Sequence, residues 1–247
     1  RTAFKKLTAG DTLILLDGNY KLNDRILVSA GQDGKEGNPI TVKADDGASV
    51  TFDFTEQTIA SVSRGIQINA NYWYLYGFHE NQDTGLQIGR ADSSQTNIKD
   101  WPHNNLIKNC TSYNNYDYQS YGENADGFAA KLTTGEGNVF DGCIAYRNSD
   151  DGWDLYAKSD SGKVGTTIIK NCLSFQNGWL LNKTASPSED DLDKYGVTTI
   201  TTTAQVLAKK INTSFATRDG DGIGFKLGGS VMEGNVIVEN CMAFENR

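Results

Sequence analysis

Apolar residues recur along this chain in short alternating runs, never in long stripes. Thr12-Leu-Ile-Leu-Leu16, Ile40-Thr-Val-Lys43, Val50-Thr-Phe-Asp53, Gly65-Ile-Gln-Ile68, Tyr72-Trp-Tyr-Leu-Tyr76 and Gly85-Leu-Gln-Ile88 each read as a strand. Further along, Asn105-Leu-Ile-Lys108, Thr167-Ile-Ile-Lys170 and Asn235-Val-Ile-Val238 do the same. Period-two alternation of β-branched and aromatic residues predicts strands with one face in a core. Between them stand Gly, Asn, Asp and Ser, the residues of tight turns.

The later strands belong to a repeat, [Asn/Gly]-Cys-x-[Ser/Ala]-[Tyr/Phe]-x-Asn, with its cysteine at Cys110, Cys143, Cys172 and Cys241. The cysteine spacings are 33, 29 and 69. The last interval holds either two coils or one coil with an insertion, and residues 180–217 lack the repeat signature. A short strand-turn unit at fixed spacing is the mark of a solenoid. Coils of a parallel β-helix stack about 4.8 Å apart, so like residues should lie on like: Cys on Cys and aromatic on aromatic inside. The last repeat position, Asn115, Asn148, Asn177 and Asn246, should form an amide ladder at the turn. The prediction is an all-β parallel solenoid with long loops, 89–103 and 113–123, walling a groove. No internal boundary divides residues 1–247.

Composition narrows the picture. Gly is abundant (26) and Pro scarce (3), which suits many short strands. The net charge of −8 argues against a nucleic-acid partner, and no apolar run is long enough to span a membrane. The four cysteines form no CxxC pair, so they read as small buried residues at one repeat position, not zinc ligands. The repeat is already running near Arg1 and is cut at Arg247, which reads as a piece of a longer protein without its leader.

Three segments carry the candidate chemistry: Asn124-Ala-Asp-Gly-Phe-Ala-Ala-Lys131, Asn148-Ser-Asp-Asp-Gly-Trp-Asp154 and Asp221-Gly-Ile-Gly-Phe-Lys-Leu-Gly-Gly229. Aligned on Gly-aromatic, Asp126 and Asp151 share a column with Ile223, and Asp154 shares the next one with Lys226. Four acids, Asp126, Asp150, Asp151 and Asp154, in one patch repel unless a cation neutralises them. Ca²⁺ favours such oxygen sets. A lysine beside the metal suits β-elimination from a uronic-acid polymer: the metal binds the substrate carboxylate, and neutral Lys226 removes the adjacent proton. Four carboxylates with one Ca²⁺ leave a charge of about −2, which does not depress a lysine from its usual pKa of about 10.4. An alkaline pH optimum is therefore expected.

At these motifs, together with Gly135-Glu-Gly-Asn-Val-Phe-Asp-Gly-Cys143, the chain resembles polysaccharide lyase family 9. These are the right-handed parallel β-helix pectate lyases and their rhamnogalacturonan-cleaving relatives. The resemblance is close over about residues 105–247 and general before that. It implies calcium held by Asp126, Asp150, Asp151 and Asp154, Lys226 as catalytic base, secretion, and a pectic substrate. The insertion ahead of Lys226 leaves open whether that is polygalacturonate or a rhamnose-containing backbone.

Lys131, Arg147 and Arg218 are candidates for contacting uronate carboxylates, although each also reads as a solvated charge. Trp153 and Trp179 read as packing residues. His79 and His103 stand isolated in loop-like text. The leading expectation is a secreted, monomeric, Ca²⁺-dependent pectate lyase acting on an acidic plant polysaccharide. A non-catalytic, calcium-stabilised β-helix such as an adhesin explains the acids equally well, but not Lys226 in their column.

Overall fold

Twenty strands among the described residues assemble into three sheets, and every pairing within them is parallel. A computed structural model describes residues 1–58, 63–81, 84–89, 97–117, 122–157, 163–178, 220–229 and 234–246. The predicted insertion (180–217), Arg218 and Trp179 lie outside the described residues.

The first sheet stacks seven strands, from Thr12–Leu15 through Ile40–Ala44, Trp73–Tyr76, Leu106–Lys108, Asn138–Asp141 and Thr167–Lys170 to Val236–Glu239. The second stacks seven, from Gly18–Lys21 through Val50–Asp53, His79–Asn81, Thr111–Tyr113, Ile144–Tyr146 and Leu173–Phe175 to Met242–Phe244. The third has six: Ile26–Val28, Ile66–Ile68, Leu86–Ile88, Phe128–Ala130, Trp153–Asp154 and Phe225–Lys226. One strand from each sheet makes a coil, and each strand pairs with its counterpart in the next coil. This is the parallel β-helix that the periodicity predicts.

The core runs along the axis. Ile40, Val42, Trp73, Leu75, Ile107, Phe140 and Ile169 fill it from the first sheet, and Ile66, Ile68, Leu86, Phe128 and Trp153 from the third. On Ile40–Ala44, Val50–Asp53 and Asn138–Asp141, in the first and second sheets, the alternate positions are half-exposed. In the third sheet they are not. Ile66–Ile68, Leu86–Ile88 and Phe128–Ala130 are buried at every position, so over its middle coils the outer face of that sheet is a covered floor, while Leu27 and Lys226 at its ends are half-exposed.

The cysteines stack at one corner, where Cys172 Sγ lies 3.4 Å from Cys143 N and Cys241 Sγ 3.4 Å from Cys172 N. Leu173 pairs with Met242, so the 69-residue interval between Cys172 and Cys241 is one coil step carrying an insertion. The asparagine ladder forms as predicted. Asn148 Nδ2 donates to Asn177 Oδ1 at 2.9 Å, and Asn177 Nδ2 to Asn246 Oδ1 at 2.8 Å.

The repeat aromatics lie elsewhere than predicted. Tyr113, Tyr146, Phe175 and Phe244 stack at 5.0–5.2 Å, but on the outer face of the second sheet. The inward Cys at the corner sets the alternation, so Ser112, Ala145 and Ser174 point in and the aromatics out. The interior stack is instead Phe128, Trp153 and Phe225 of the third sheet, at 5.0 and 4.8 Å.

No helix among the described residues is long and apolar enough to cross a membrane, which leaves β-barrels unaddressed. Two 3-10 turns, Phe4–Lys6 and Ile98–Asp100, are the helical segments described.

Candidate active site

The last three third-sheet strands, Phe128–Ala130, Trp153–Asp154 and Phe225–Lys226, are each entered through a glycine that the packing requires. A Cβ on Gly127 would meet Ala145 Cβ at 2.7 Å, and one on Gly152 would meet Gly224 O at 2.6 Å. A Cβ on Gly224 would meet Ala243 Cβ at 2.7 Å. The Asp-Gly pairs are therefore not ordinary turns. Glycine lets the third sheet press against the second, and the residue before it is thrown onto the covered outer floor.

That floor collects the acids. Gly127 N donates to Asp151 O, and Gly152 N to Ile223 O, both at 2.9 Å, which stacks Asp126, Asp151 and Ile223. Asp154 pairs in register with Lys226. Carboxylate oxygens of Asp126, Asp151 and Asp154 lie within 4.8 Å of one another, and those of Asp150, Asp151 and Asp221 form a second such trio. Asp126, Asp150, Asp151 and Asp154 are all buried.

Backbone amides orient them. Ile223 N donates to Asp151 Oδ1 at 2.7 Å, Asp221 N to Asp150 Oδ1 at 2.8 Å, and Tyr156 N to Asp154 Oδ1 at 2.9 Å. Lys226 Nζ stands 3.1 Å from Asp151 Oδ2 and 2.7 Å from Asp221 Oδ2. The predicted juxtaposition of an amine and the acid quartet is thus present. The group faces a cavity of about 440 Å³, lined also by Arg64, Asn124, Lys131 and Tyr156.

Crowding sets the protonation. Burial first, then the charge of Asp126, pushes Asp151 up to about 7, with Lys226 opposing. Burial, Asp126 and Asp151 hold Asp150 well above the carboxylate range. Asp126 is raised by burial, which Lys131 partly offsets. Burial pulls the Lys226 ammonium toward neutrality, but the Asp221 hydrogen bond and the Asp154 and Asp151 charges outweigh it, so its pKa is raised. Lys131 is likewise raised: Asp126 and Asp154 overcome its desolvation.

The donor set fits a hard divalent cation. Every candidate ligand is a carboxylate oxygen, as calcium prefers. Asp126 Oδ1 is buried with no hydrogen-bond partner, and Asp151 Oδ2 has no partner beyond the Lys226 ion pair. Buried, unsatisfied anionic oxygens are costly, and a bound cation would satisfy them.

The other predicted contacts divide. Lys131 is not the solvated charge that its sequence also suggests. It is 7% exposed, and its ammonium lies 2.6 Å from both Asp126 Oδ2 and Asp154 Oδ2, because it follows Ala129 by two residues and shares that residue's outward phase, on the side where the acids collect. Arg147 is not brought to the cavity. It sits on the outer face of the second sheet, where its Nε donates to Gln176 Oε1 at 3.1 Å and its guanidinium lies 6.0 Å from the Tyr146 ring. Trp153 is core, as read.

Two cavity residues are new. Asp221 opens the Lys226 motif yet offers no Gly-aromatic signal of its own. Arg64 was legible in principle. Arg64-Gly65-Ile66 and Thr84-Gly85-Leu86 are the upstream copies of Asp126-Gly127-Phe128 and Asp151-Gly152-Trp153, as the strand register shows.

Comparison with known proteins agrees with this architecture. Residues 77–247 match the family described as "Pel9A-like, right handed beta helix region". The chain is 35% identical over 269 residues to "Pectate lyase L" of Paenibacillus polymyxa, covering 99% of this chain and 53% of that protein. The solved structure "Crystal structure of pectate lyase Pel9A" superposes with a TM-score of 0.64 at 24% identity, over 99% of this chain and 57% of the other. "Rhamnogalacturonan lyase" does so with 0.60 at 22% identity, over 99% and 63%. The chain thus spans about half the length of the curated relative. With the coil register, the Gly-aromatic column and the family match over the whole acid-bearing region, the chain belongs to the Pel9A-like right-handed β-helix family.

Proposed function

We propose that the protein is a calcium-dependent polysaccharide lyase that cleaves polygalacturonate by β-elimination, with Lys226 as the base. The observation that carries this is the Lys226 amine beside a buried acid cluster, facing an open cavity. A purely structural acid cluster accounts for the carboxylates but not for an amine set between them and the cavity. The relative at 35% identity is named a pectate lyase, which favours polygalacturonate over a rhamnose-containing backbone. The substrate is a cell-wall polymer too large to enter a cell, so secretion is part of this reading.

Asp126, Asp150, Asp151 and Asp154 would hold calcium, which when bound draws charge from the uronate carboxylate and acidifies the neighbouring C5 proton. Lys226, in its neutral form, takes that proton. The released electron pair forms the C4–C5 double bond as the bond from C4 to the glycosidic oxygen breaks, and the departing oxygen gains a proton. No water adds across the bond. Asp221 and Asp151 fix the amine in place, and they also favour its charged form. The neutral fraction of a base with a raised pKa grows as pH rises, so turnover climbs toward alkaline pH.

The test is an assay on polygalacturonate and on rhamnogalacturonan, with calcium and with chelator, following the ultraviolet absorbance of the unsaturated product. The reading requires product from polygalacturonate that chelator abolishes, and a rate that rises from about pH 6 to about pH 9. Hydrolysis without the chromophore, or full activity at low pH with no rise, overturns it. Lys226→Ala must lose turnover while still binding the polymer.

A further inference from the structure

Two amines stand in the acid cluster, and they are held differently. Lys226 pairs with Asp151 and with the exposed Asp221, and its own side chain is 20% exposed. Lys131 is locked between two buried acids, 2.6 Å from Asp126 Oδ2 and 2.6 Å from Asp154 Oδ2. Its backbone is pinned as well. Lys131 N donates to Ile88 O at 3.3 Å, its carbonyl accepts from Thr134 Oγ1 at 3.3 Å, and the following Leu132 N donates to Tyr156 O at 2.8 Å. Ala129 lies between Asp126 and Lys131 on the strand and pairs with Asp154. Its side chain is only a methyl group, which leaves room for the lysine stem to fold back toward the acids.

The carboxylate oxygens divide among fixed partners. Asp154 commits Oδ1 to Tyr156 N and Oδ2 to Lys131. Asp150 and Asp151 each commit Oδ1 to a backbone amide. Asp126 commits Oδ2 to Lys131, and its buried Oδ1 has no hydrogen-bond partner. The ammonium therefore neutralises part of the cluster without occupying the oxygen of Asp126 that stays open to a cation. A lysine so placed has two opposing effects. It gathers like charges that would otherwise push apart, and it sets a positive charge beside any further cation that enters.

We propose that Lys131 is a resident counter-cation of the acid cluster: it keeps the acids gathered before metal is bound, and calcium binds beside it with reduced affinity. Lys131 is a positioning residue that acts through Asp126 and Asp154, and it takes no part in the proton transfer. Coupling between the two cations is reciprocal, so the calcium affinity that Lys131 removes equals the amount by which calcium weakens the hold of Lys131 on the acids. The ammonium thus stabilises the metal-free protein more than the calcium-bound one. The inference rests on the calcium part of the lyase reading above.

Lys131→Met, which keeps the stem and removes the charge, tests this in the full chain. Calorimetry with calcium alone should show binding about ten-fold tighter than in the wild type. In chelator the variant should unfold at a lower denaturant concentration than the wild type, and saturating calcium should restore most of the difference. A lysine with a merely structural role would lower stability equally with and without calcium and leave the affinity unchanged, and that result overturns the inference. Weaker calcium binding in the variant overturns it too, because the lysine would then be a brace for the bound metal. Where Lys131→Met does not fold in chelator, a calcium titration decides. Recovery of the native circular dichroism supports the inference, since calcium is then replacing the ammonium, and a chain still unfolded at saturating calcium overturns it. Wild-type protein that binds no calcium overturns both this inference and the calcium reading beneath it, whatever the variant does.

Discussion

Coils two and three differ from coils four to six on one face and agree on the other. Along the inner column of the third sheet stand Ile66 and Leu86, then Phe128, Trp153 and Phe225, all apolar. Along the outer column stand Gln67 and Gln87, then Ala129, Asp154 and Lys226. The preceding column runs Arg64 and Thr84, then Asp126 and Asp151. The backbone register is the same throughout. The β-helix therefore asks only for an apolar residue inward and a glycine at the corner, and is indifferent to what the floor carries. Chemistry is written in the columns the fold does not read.

The strongest test of this separation copies the upstream residue onto the downstream coil. Asp154→Gln reproduces the Gln87 position one coil past Ala129. The protein should fold with its β-helix intact by circular dichroism, yet lose calcium binding and about 10²-fold or more of its turnover. Loss of the fold would show that the floor does carry structural information.

The corner should behave in the opposite way. In Gly152→Ala the new Cβ would sit 2.1 Å from Ser174 Oγ and 2.6 Å from Gly224 O. Overpacking of this kind costs about 1–3 kcal/mol, seen as a lower midpoint in denaturant. Wild-type stability in this variant would mean that the two sheets are less tightly joined than the geometry requires.

A smaller effect concerns pH. The Asp151 carboxyl, pushed up to about 7, binds its proton more tightly in the folded chain than in the unfolded one. Between roughly pH 4 and pH 7 the native state then holds more protons, so stability falls as pH rises. Asp126 and Asp150, raised in the same direction, add to the trend. Metal-free protein should melt at progressively lower temperature across this window, and added calcium should restore most at its upper end. A melting temperature that rises with pH in chelator would refute the crowding argument. Least of all, Gln67→Met in the upstream floor should change stability by under about 1 kcal/mol, and a larger loss would make the 2.7 Å hydrogen bond from Arg25 Nη1 to Gln67 Oε1 structural.

Much of the architecture was legible because stacked residues must be alike. The cysteine and asparagine positions announce the coil, and alignment on Gly-aromatic brought Asp126, Asp151, Asp154 and Lys226 together before any contact was known. What escaped was whatever the repeat does not encode. The strands Gly18–Lys21, Ile26–Val28 and His79–Asn81 are too short for alternation to declare itself. The outward placement of Tyr113 and Tyr146 follows from the phase set by Cys110 and Cys143, which hydrophobicity alone misjudges. Lys131 looks solvated in sequence because burial of a lysine depends on partners from another coil. Arg147, by contrast, shares the repeat but faces away from the cavity. Asp221 required knowledge of which neighbouring coil it faces, whereas Arg64 is legible once Arg64-Gly65-Ile66 is aligned with Asp126-Gly127-Phe128.

The step from Cys172 to Cys241 keeps the same spacing and partners as the steps before it, although the chain between them is more than twice as long. A corner that admits so long an excursion without disturbing the ladder behaves as a splice junction. The frame and its floor therefore do not depend on the length of chain carried at that junction, and inserted sequence can change there while the stacked coils are inherited unchanged.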